Sequence, residues 1–170
     1  VNSLRSNLKM HPKAMIFENL DIRTPYSRLT DYYAMRYKDF NGDMGDYLEK
    51  VTMEGRFRNS TISTRDIAYF APELQDRDAT IRISGNANGT VSNLTARNMN
   101  IQYGKDTRLL GSIRLVGLPD IEKTFIDFRS EEFRTTYAEA SQLAPEIRDL
   151  RKPDLAALGY ATFTGTYTGF

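Results

Sequence analysis

The 170-residue chain contains no cysteine, no tryptophan and a single histidine, His11. Without cysteine there are no disulfide bonds, no thiolate zinc sites and no cysteine nucleophiles. Because His11 stands alone beside Pro12, a Ser-His or Cys-His nucleophile system lacks its components, and we expect this imidazole to be solvated. The absence of cysteine suits the cytosol and the periplasm equally, so it does not place the protein in a compartment.

Long hydrophobic runs and an excess of one charge are also missing. No segment approaches the roughly 20 apolar residues that a membrane-spanning helix needs. The chain carries 23 basic and 22 acidic residues, a formal net charge of +1, and they are spread along its length. Since no basic block or aromatic-basic stripe occurs, we predict no nucleic-acid partner.

Residue patterns that would indicate catalysis are weak. The neighbouring carboxylates Glu131 and Glu132 are typical of a solvated strand end, and so is the pair Asp76 and Asp78. Acid-base catalysis needs two carboxyl groups whose environments separate their pKa values, which no spacing here indicates. We therefore predict that the chain is not an enzyme.

Metal and phosphate motifs are incomplete. The loop with acidic residues at 39, 43 and 46 has Met44 where a calcium loop of the EF-hand type needs glycine, and Lys50 where it needs glutamate. The glycines at 85 and 89 lie in strand-like sequence without the Gly-Lys-Ser/Thr ending of a phosphate loop, so they predict a bend or bulge. We expect no metal and no cofactor.

Most of the sequence alternates between apolar and polar residues with a period of two, which predicts β-strands. An apolar residue at 18 would continue the alternation of 14–22, but Glu18 stands there and indicates a bulge. Short turn signals, such as the one at Gly104, favour an antiparallel meander. The alternating segments lie around residues 14–22, 33–37, 51–58, 80–84, 98–103, 111–115, 126–129 and 162–168.

Helical signals are few. Ser63 and Thr136 are capping residues that predict short helices at 64–70 and 137–143, each ended by a following proline. One further helical turn is predicted within 43–48. Two or three short helices cannot cover a large apolar sheet face. The sheet therefore either closes on itself as a sandwich or barrel, or it stays open and presents an apolar groove. Pattern alone leaves both alternatives open.

The chain repeats itself. Residues 71–74, Ala-Pro-Glu-Leu, return 73 residues later as Ala-Pro-Glu-Ile, and Arg56 returns as Arg129 at the same offset. Upstream the offset is 80, so that Ser27-Arg28-Leu29 corresponds to Thr107-Arg108-Leu109, and a loop about seven residues longer around 41–43 accounts for the difference. We predict one β domain, an internal fragment of a longer repeat protein. Its units span 13–79 and 80–157, and a third begins at 158–170.

Several ordered motifs resemble one family. They are NLDIRTPYSRL at 19–29, FRNSTISTRDI at 57–67, ISG at 83–85 with Gly89, GLPDI at 117–121, TFI at 124–126, LG at 158–159 and FTG at 163–165. Together they resemble the TamB and AsmA-like envelope proteins, in the form found in Bacteroidetes-type bacteria.

That resemblance implies a fold and a function. Such proteins are tethered to the inner membrane by an N-terminal helix, absent here, and extend through the periplasm as a long curled β-sheet, the β-taco. The sheet interior is thought to shield phospholipid acyl chains on their way to the outer membrane. The resemblance therefore implies acyl chains, neighbouring repeats of the full-length chain and an outer-membrane barrel of the Omp85 type as partners.

We accordingly expect a mainly β protein, an elongated antiparallel meander curled into an open half-pipe with two or three short helices. Its function would be that of a lipid conduit. The alternative is a closed structural or interaction module without a ligand, which supports outer-membrane protein biogenesis. The predicted groove lining is Met53, Phe57, Ile81, Ile83, Ile101, Ile113, Leu115, Ile126, Phe128 and Phe163.

Overall fold

The structure is a computed structural model that describes residues 1–68, 78–143, 147–148, 157 and 159–170. The repeated Ala-Pro-Glu segments at 71–74 and 144–147 lie outside the described residues, except for Ile147. The predicted helix at 64–70 can be followed only as far as Ala68.

Nine antiparallel strands form one sheet in which every strand pairs with its neighbours in sequence. The predicted mainly β meander is therefore confirmed. The strands are β1 (Ser3–His11), β2 (Ala14–Arg23), β3 (Arg28–Arg36), β4 (Thr52–Ser63), β5 (Thr80–Gly89), β6 (Asn93–Tyr103), β7 (Thr107–Val116), β8 (Phe125–Thr135) and β9 (Ala161–Gly169).

The helices are short and lie in the connections. They are α1 (Phe40–Met44), α2 (Tyr47–Lys50), α3 (Thr64–Ile67) and α4 (Tyr137–Leu143). A 3₁₀ turn at Ile121–Lys123 lies between β7 and β8. The bounds of α4 are those that its Thr136 cap predicts. The segment around 43–48 forms two helices rather than one turn, so the described residues hold four helices instead of two or three.

Strand β1 was not predicted, and its sequence explains why. Leu4, Leu8 and Met10 are apolar, but the register with β2 shifts between Arg5 and Asn7, which breaks the alternation in the middle of the strand. A period-two pattern is visible only while the register holds. With β1 included, the sheet has one more hairpin than the sequence indicates.

The sheet is a single open layer. Its edges are β1 and β9, and each strand packs extensively only on the strands beside it. The buried apolar residues of the described chain number ten, of which four are alanine. A closed sandwich of this length would bury most of its large apolar side chains. The closed alternative is therefore not the one this sequence adopts.

A row of bulges crosses the sheet, and we call it the seam. Asn19, Asn59 and Asn98 have φ values of 51°, 51° and 52°, a left-handed conformation that asparagine tolerates better than most residues. The register shifts beside each of them. On the strands that follow, the seam continues at Asp31, Gly85, Gly111 and Gly165, which also have positive φ.

The seam gives the sheet its bend, because a bulge kinks its strand and increases the local twist. It also accounts for two sequence predictions. The bulge expected at Glu18 is confirmed by the register shift between Glu18 and Leu20, and the bend expected at Gly85 by the shift between Ser84 and Asn86. At Gly85, φ is +142°, and a Cβ would lie 2.9 Å from the carbonyl oxygen of Asn98.

At one end of the strands, α3 and α4 form equivalent hydrogen bonds, α3 to the β2–β3 turn and α4 to the β6–β7 turn. The Asp66 carboxylate of α3 accepts a 2.6 Å hydrogen bond from the Thr24 hydroxyl in the β2–β3 turn. The Glu139 carboxylate of α4, 73 residues later, accepts bonds from the Lys105 and Asp106 amides of the β6–β7 turn and from the Thr107 hydroxyl. Burial raises the pKa of Glu139, but these hydrogen bonds outweigh it, so the pKa is lowered.

Candidate functional site

One face of the sheet is apolar along its whole length, and we call it the apolar face. Residues paired across antiparallel strands share a face, so the registers define its rows. The first row is Met10, Met15, Met35, Met53, Gly89, Leu94, Leu115, Ile126 and Gly169. The second is Leu8, Phe17, Tyr33, Gly55, Ala87, Ala96, Ile113, Phe128 and Tyr167.

The apolar face continues beyond the seam. A third row consists of Ser60, Ile83, Ile101, Leu109, Phe133 and Phe163, and Ile81 lies two residues before Ile83 on β5, opposite Ile62 and Tyr103. At the seam, Phe57 pairs with Gly85, and its ring lies over Gly55, where a Cβ would approach it to 2.7 Å.

The registers place all ten predicted lining residues on the apolar face. Met53, Leu115 and Ile126 are in the first row, Ile113 and Phe128 in the second, and Ile83, Ile101 and Phe163 in the third, while Phe57 lies at the seam and Ile81 beyond it. That these side chains contact lipid stays a prediction.

The apolar face is hollowed where it crosses β6–β9. This apolar hollow has a volume of about 260 Å³ and presents only apolar surface. Residues from both sides of the seam line it, so the sheet bends toward this face there. They are Met99, Ile101, Leu109, Gly111, Ser112, Ile113, Ile126, Phe128 and Tyr167.

Four of these nine residues were predicted to line a groove, and five were not. Ile101, Ile113, Ile126 and Phe128 were predicted. The five that were not predicted are Met99, Leu109, Gly111, Ser112 and Tyr167. Met99, Gly111 and Tyr167 lie on alternating apolar positions of the period-two pattern, but that pattern does not separate lining residues from core residues.

The first half of the apolar face has a partial cover. Tyr47 of α2 reaches Tyr33 of the second row, and their hydroxyl oxygens are 2.7 Å apart. Burial, and next the hydrogen bond to Tyr47, raise the pKa of the Tyr33 hydroxyl above its ordinary range. Beside this pair, the rings of Tyr37 and Phe40 meet edge to face with centroids 5.4 Å apart.

The second half has no equivalent cover among the described residues. The position 80 residues after Tyr33 is Ile113, which lines the apolar hollow. The β7–β8 connection at 117–124 is seven residues shorter than the β3–β4 connection at 37–51, as the change in repeat offset predicts. The shorter connection has no counterpart of α1 and α2, so no helix of the described residues covers the hollow.

The exposed apolar side chains extend to the sheet edge. Tyr167 is 51% exposed and Phe163 is 40% exposed, both on β9. A contiguous apolar surface of this kind marks an interaction site in a folded protein.

Metal-binding clusters do not occur in the part of the chain that the structure describes. No three His, Asp or Glu side chains there are arranged to hold a metal ion. In the acidic loop, Asp39 caps α1 by accepting from the Gly42 amide, and Asp43 accepts from the Lys38 and Asp39 amides, which lowers its pKa. None of the described helices has the length and hydrophobicity to cross a membrane.

Comparison with known proteins adds no relative. No protein-family model, no curated protein and no solved structure matches the chain. The resemblance to the TamB and AsmA-like proteins thus stays a prediction that rests on its residues.

Proposed function

We propose that this chain is a periplasmic section of a conduit between the inner and outer membranes, and that its apolar face shields phospholipid acyl chains. The observation that carries the proposal is the apolar hollow on a one-layer sheet. Apart from Gly111 and Ser112, the lining side chains are aliphatic or aromatic, and none is charged. Such a lining replaces water around a hydrocarbon chain, at about 0.8 kcal/mol per buried CH₂.

The direction of the rows suits a long, flexible ligand. Each row crosses all or most of the strands, so the apolar path runs along the sheet rather than along a strand. Every hairpin adds the same kind of surface, and no single residue type is required at each step. A path of this kind contacts methylenes without selecting a headgroup, as a conduit requires.

The hollow is suited to a segment of an acyl chain rather than to a compact small molecule. Its volume of about 260 Å³ lies below the roughly 300–1,000 Å³ of ordinary ligand pockets. It reaches the edge strand at the exposed ring of Tyr167. Neighbouring repeats would extend it there, and the resemblance adds an inner-membrane tether and an Omp85-type barrel to the proposal.

A second function is favoured by the two free sheet edges. Strands β1 and β9 each have one side that pairs with no other described strand, and an exposed edge can take a further strand. In that case the chain is an interaction module that pairs with neighbouring repeats or a partner protein, and its apolar face is covered by protein. Such pairing would leave the apolar hollow inaccessible to phospholipid.

The absence of tryptophan allows a direct test. Tyr167→Trp places a fluorophore on the apolar face, and Thr168→Trp places one on the next residue, on the opposite face of the same strand. Both positions are exposed, so both variants should fold. We expect a phospholipid with bromine on its acyl chains to quench the first tryptophan and to leave the second unchanged.

Quenching of neither tryptophan would refute the proposal. Equal quenching of the two would show non-specific partitioning and would refute it as well. A circular dichroism spectrum like that of the wild type confirms that each variant is folded. If the chain also forms edge-to-edge oligomers that exclude phospholipid, the interaction module becomes the better account.

A further inference from the structure

The polar face of the sheet carries a second concavity, which we call the arginine hollow. It has a volume of about 630 Å³ and lies on β5–β9, opposite the apolar hollow. Three arginines from three successive strands, Arg97, Arg114 and Arg129, line it. Asparagine, serine and threonine side chains also line it, at Asn88, Asn93, Thr95, Ser112 and Thr166. Gly89, Ile113 and Asp127 complete the lining.

The strand registers gather these arginines around Ser112. Arg129 pairs with Ser112 directly, Arg114 is two residues along the same strand, and Arg97 follows Ala96, whose partner is Ile113. With strands about 4.8 Å apart and a rise of about 3.4 Å per residue, each arginine Cα lies within roughly 7 Å of the Ser112 Cα. Guanidinium groups at that spacing can converge on one anion above the serine hydroxyl.

Within the described part of the chain, the three arginines have no ion-pair partner. Among the described residues, no carboxylate lies within ion-pair distance of Arg97, Arg114 or Arg129. Arg114 donates only to the side-chain oxygen of Asn93, at 3.3 Å. Asp127 is the one acidic residue of the lining, so the hollow carries a net positive charge.

The corresponding positions in the first half of the sheet carry different side chains, and their charged groups have partners. There Tyr32 stands for Ser112, and the guanidinium of Arg56, the counterpart of Arg129, lies 4.3 Å from the centre of its ring. Glu18 stands for Arg97 and is paired with Lys9 at 2.8 Å.

The positions of Arg114 and Asp127 also have counterparts in the first half of the sheet. Ala34 stands for Arg114, and Glu54, the counterpart of Asp127, is paired with Arg36 at 3.1 Å. The five positions in the first half thus carry one basic and two acidic residues, whereas the five in the second half carry three basic residues and one acidic residue. Because Glu18 and Ala34 occupy the positions of Arg97 and Arg114, the fold does not require arginine at those two positions.

We propose that the arginine hollow is a binding site for a dianionic phosphate group. Arg97, Arg114 and Arg129 supply the charge and paired donors that suit phosphate oxygens. The hydroxyls of Ser112 and Thr166 supply further donors between them. The phosphate belongs to a molecule on the polar side, because a lipid whose chains lie in the apolar hollow has the sheet between itself and these arginines.

The test uses inorganic phosphate with the whole chain, followed by amide chemical shifts at constant ionic strength. We expect saturable shifts centred on Ser112, with a dissociation constant in the millimolar range. Arg129→Ala should weaken binding about fivefold or more, since a charge-assisted hydrogen bond is lost. Ser112→Tyr copies the first half of the sheet and should abolish binding while the fold is kept.

Arg56→Ala is the matched control, because this arginine occupies the equivalent position but stacks on Tyr32. It should leave phosphate affinity unchanged. Equal losses in Arg56→Ala and Arg129→Ala, or shifts that spread over the surface without saturation, would overturn the proposal. So would unchanged binding by Ser112→Tyr.

Phosphatidylcholine vesicles with and without phosphatidic acid distinguish the source of the phosphate. If the protein sediments with the phosphatidic acid vesicles and Ser112→Tyr abolishes this sedimentation, the ligand is a lipid headgroup. Phosphate binding without vesicle binding would identify a soluble phosphate. Binding to neither would overturn the proposal.

Discussion

A charge at Ile113 should remove acyl-chain binding without unfolding the chain. Ile113 lies in the second row of the apolar face, between Ala96 and Phe128, and lines the apolar hollow. Because this position is only partly buried, the carboxylate of an aspartate there remains hydrated in the unliganded protein. We expect Ile113→Asp to lower the free energy of unfolding by about 1–2 kcal/mol, the loss of a half-buried aliphatic side chain.

The loss in binding follows from the size of the hollow. A methylene group is similar in size to a water molecule, at about 30 Å³, so 260 Å³ accommodates roughly eight methylenes. At about 0.8 kcal/mol each they contribute about 6 kcal/mol before the ordering of the chain is counted. If the carboxylate and its water displace a third to a half of them, about 2–3 kcal/mol is lost. That loss corresponds to a weakening of about 30- to 150-fold.

The assay is equilibrium binding of a phospholipid with a fluorescent acyl chain. Thr95→Asp adds the same charge on the polar face of β6, where its partner is Arg114, and should bind lipid like the wild type. Ile113→Asn separates polarity from charge and should lie between the wild type and Ile113→Asp. Wild-type affinity in Ile113→Asp, or an equal loss in Thr95→Asp, would refute the reasoning.

Two further predictions concern stability. Gly85→Ala should lower the free energy of unfolding by about 2 kcal/mol or more, because a Cβ at this positive-φ seam position would clash with the Asn98 carbonyl oxygen. Chemical denaturation measures this loss. The control is Gly45→Ala, which should change stability little because the nearest atom to its new Cβ would be 3.6 Å away. Glu139→Gln should weaken the attachment of α4 to the 104–106 turn. Since the pKa of Glu139 is lowered by folding, its carboxylate stabilises the protein above the unfolded pKa, and this is lost as the pH falls through the folded value. Between about pH 5 and pH 3, the stability of the wild type should therefore fall more than that of Glu139→Gln. The control Glu131→Gln, at an exposed position, should follow the wild type. Parallel stability curves for the wild type and Glu139→Gln would contradict this prediction.

The alternation of apolar and polar residues predicts most of this fold because a β-strand has a period of two. It predicts the strands of the meander and the bulge beside Glu18, while the capping residue Thr136 predicts the helix that follows it. It does not predict β1, in which a register shift between Arg5 and Asn7 interrupts the alternation. Nor does it reveal the seam, because an asparagine such as Asn59 looks the same in sequence whether it occupies a turn or a left-handed bulge.

The two hollows differ in how far sequence could predict them. Residues such as Ile113 and Phe128 belong to alternating segments, so their shared face follows from the pattern. The arginine hollow depends on the register between strands, which brings Arg97, Arg114 and Arg129 together around Ser112. Registers are set by turns and bulges over the whole sheet, and the spacing of three arginines along a chain does not contain them.

The position of an acyl chain on the sheet tests the central claim most directly. Crystals grown with a phospholipid that carries bromine on its acyl chains would locate the chain by anomalous scattering. The account predicts bromine peaks in the apolar hollow, between Met99, Ile113 and Phe128, and along the rows toward β9. An apolar face covered by protein, or bromine only on the polar face, would contradict it.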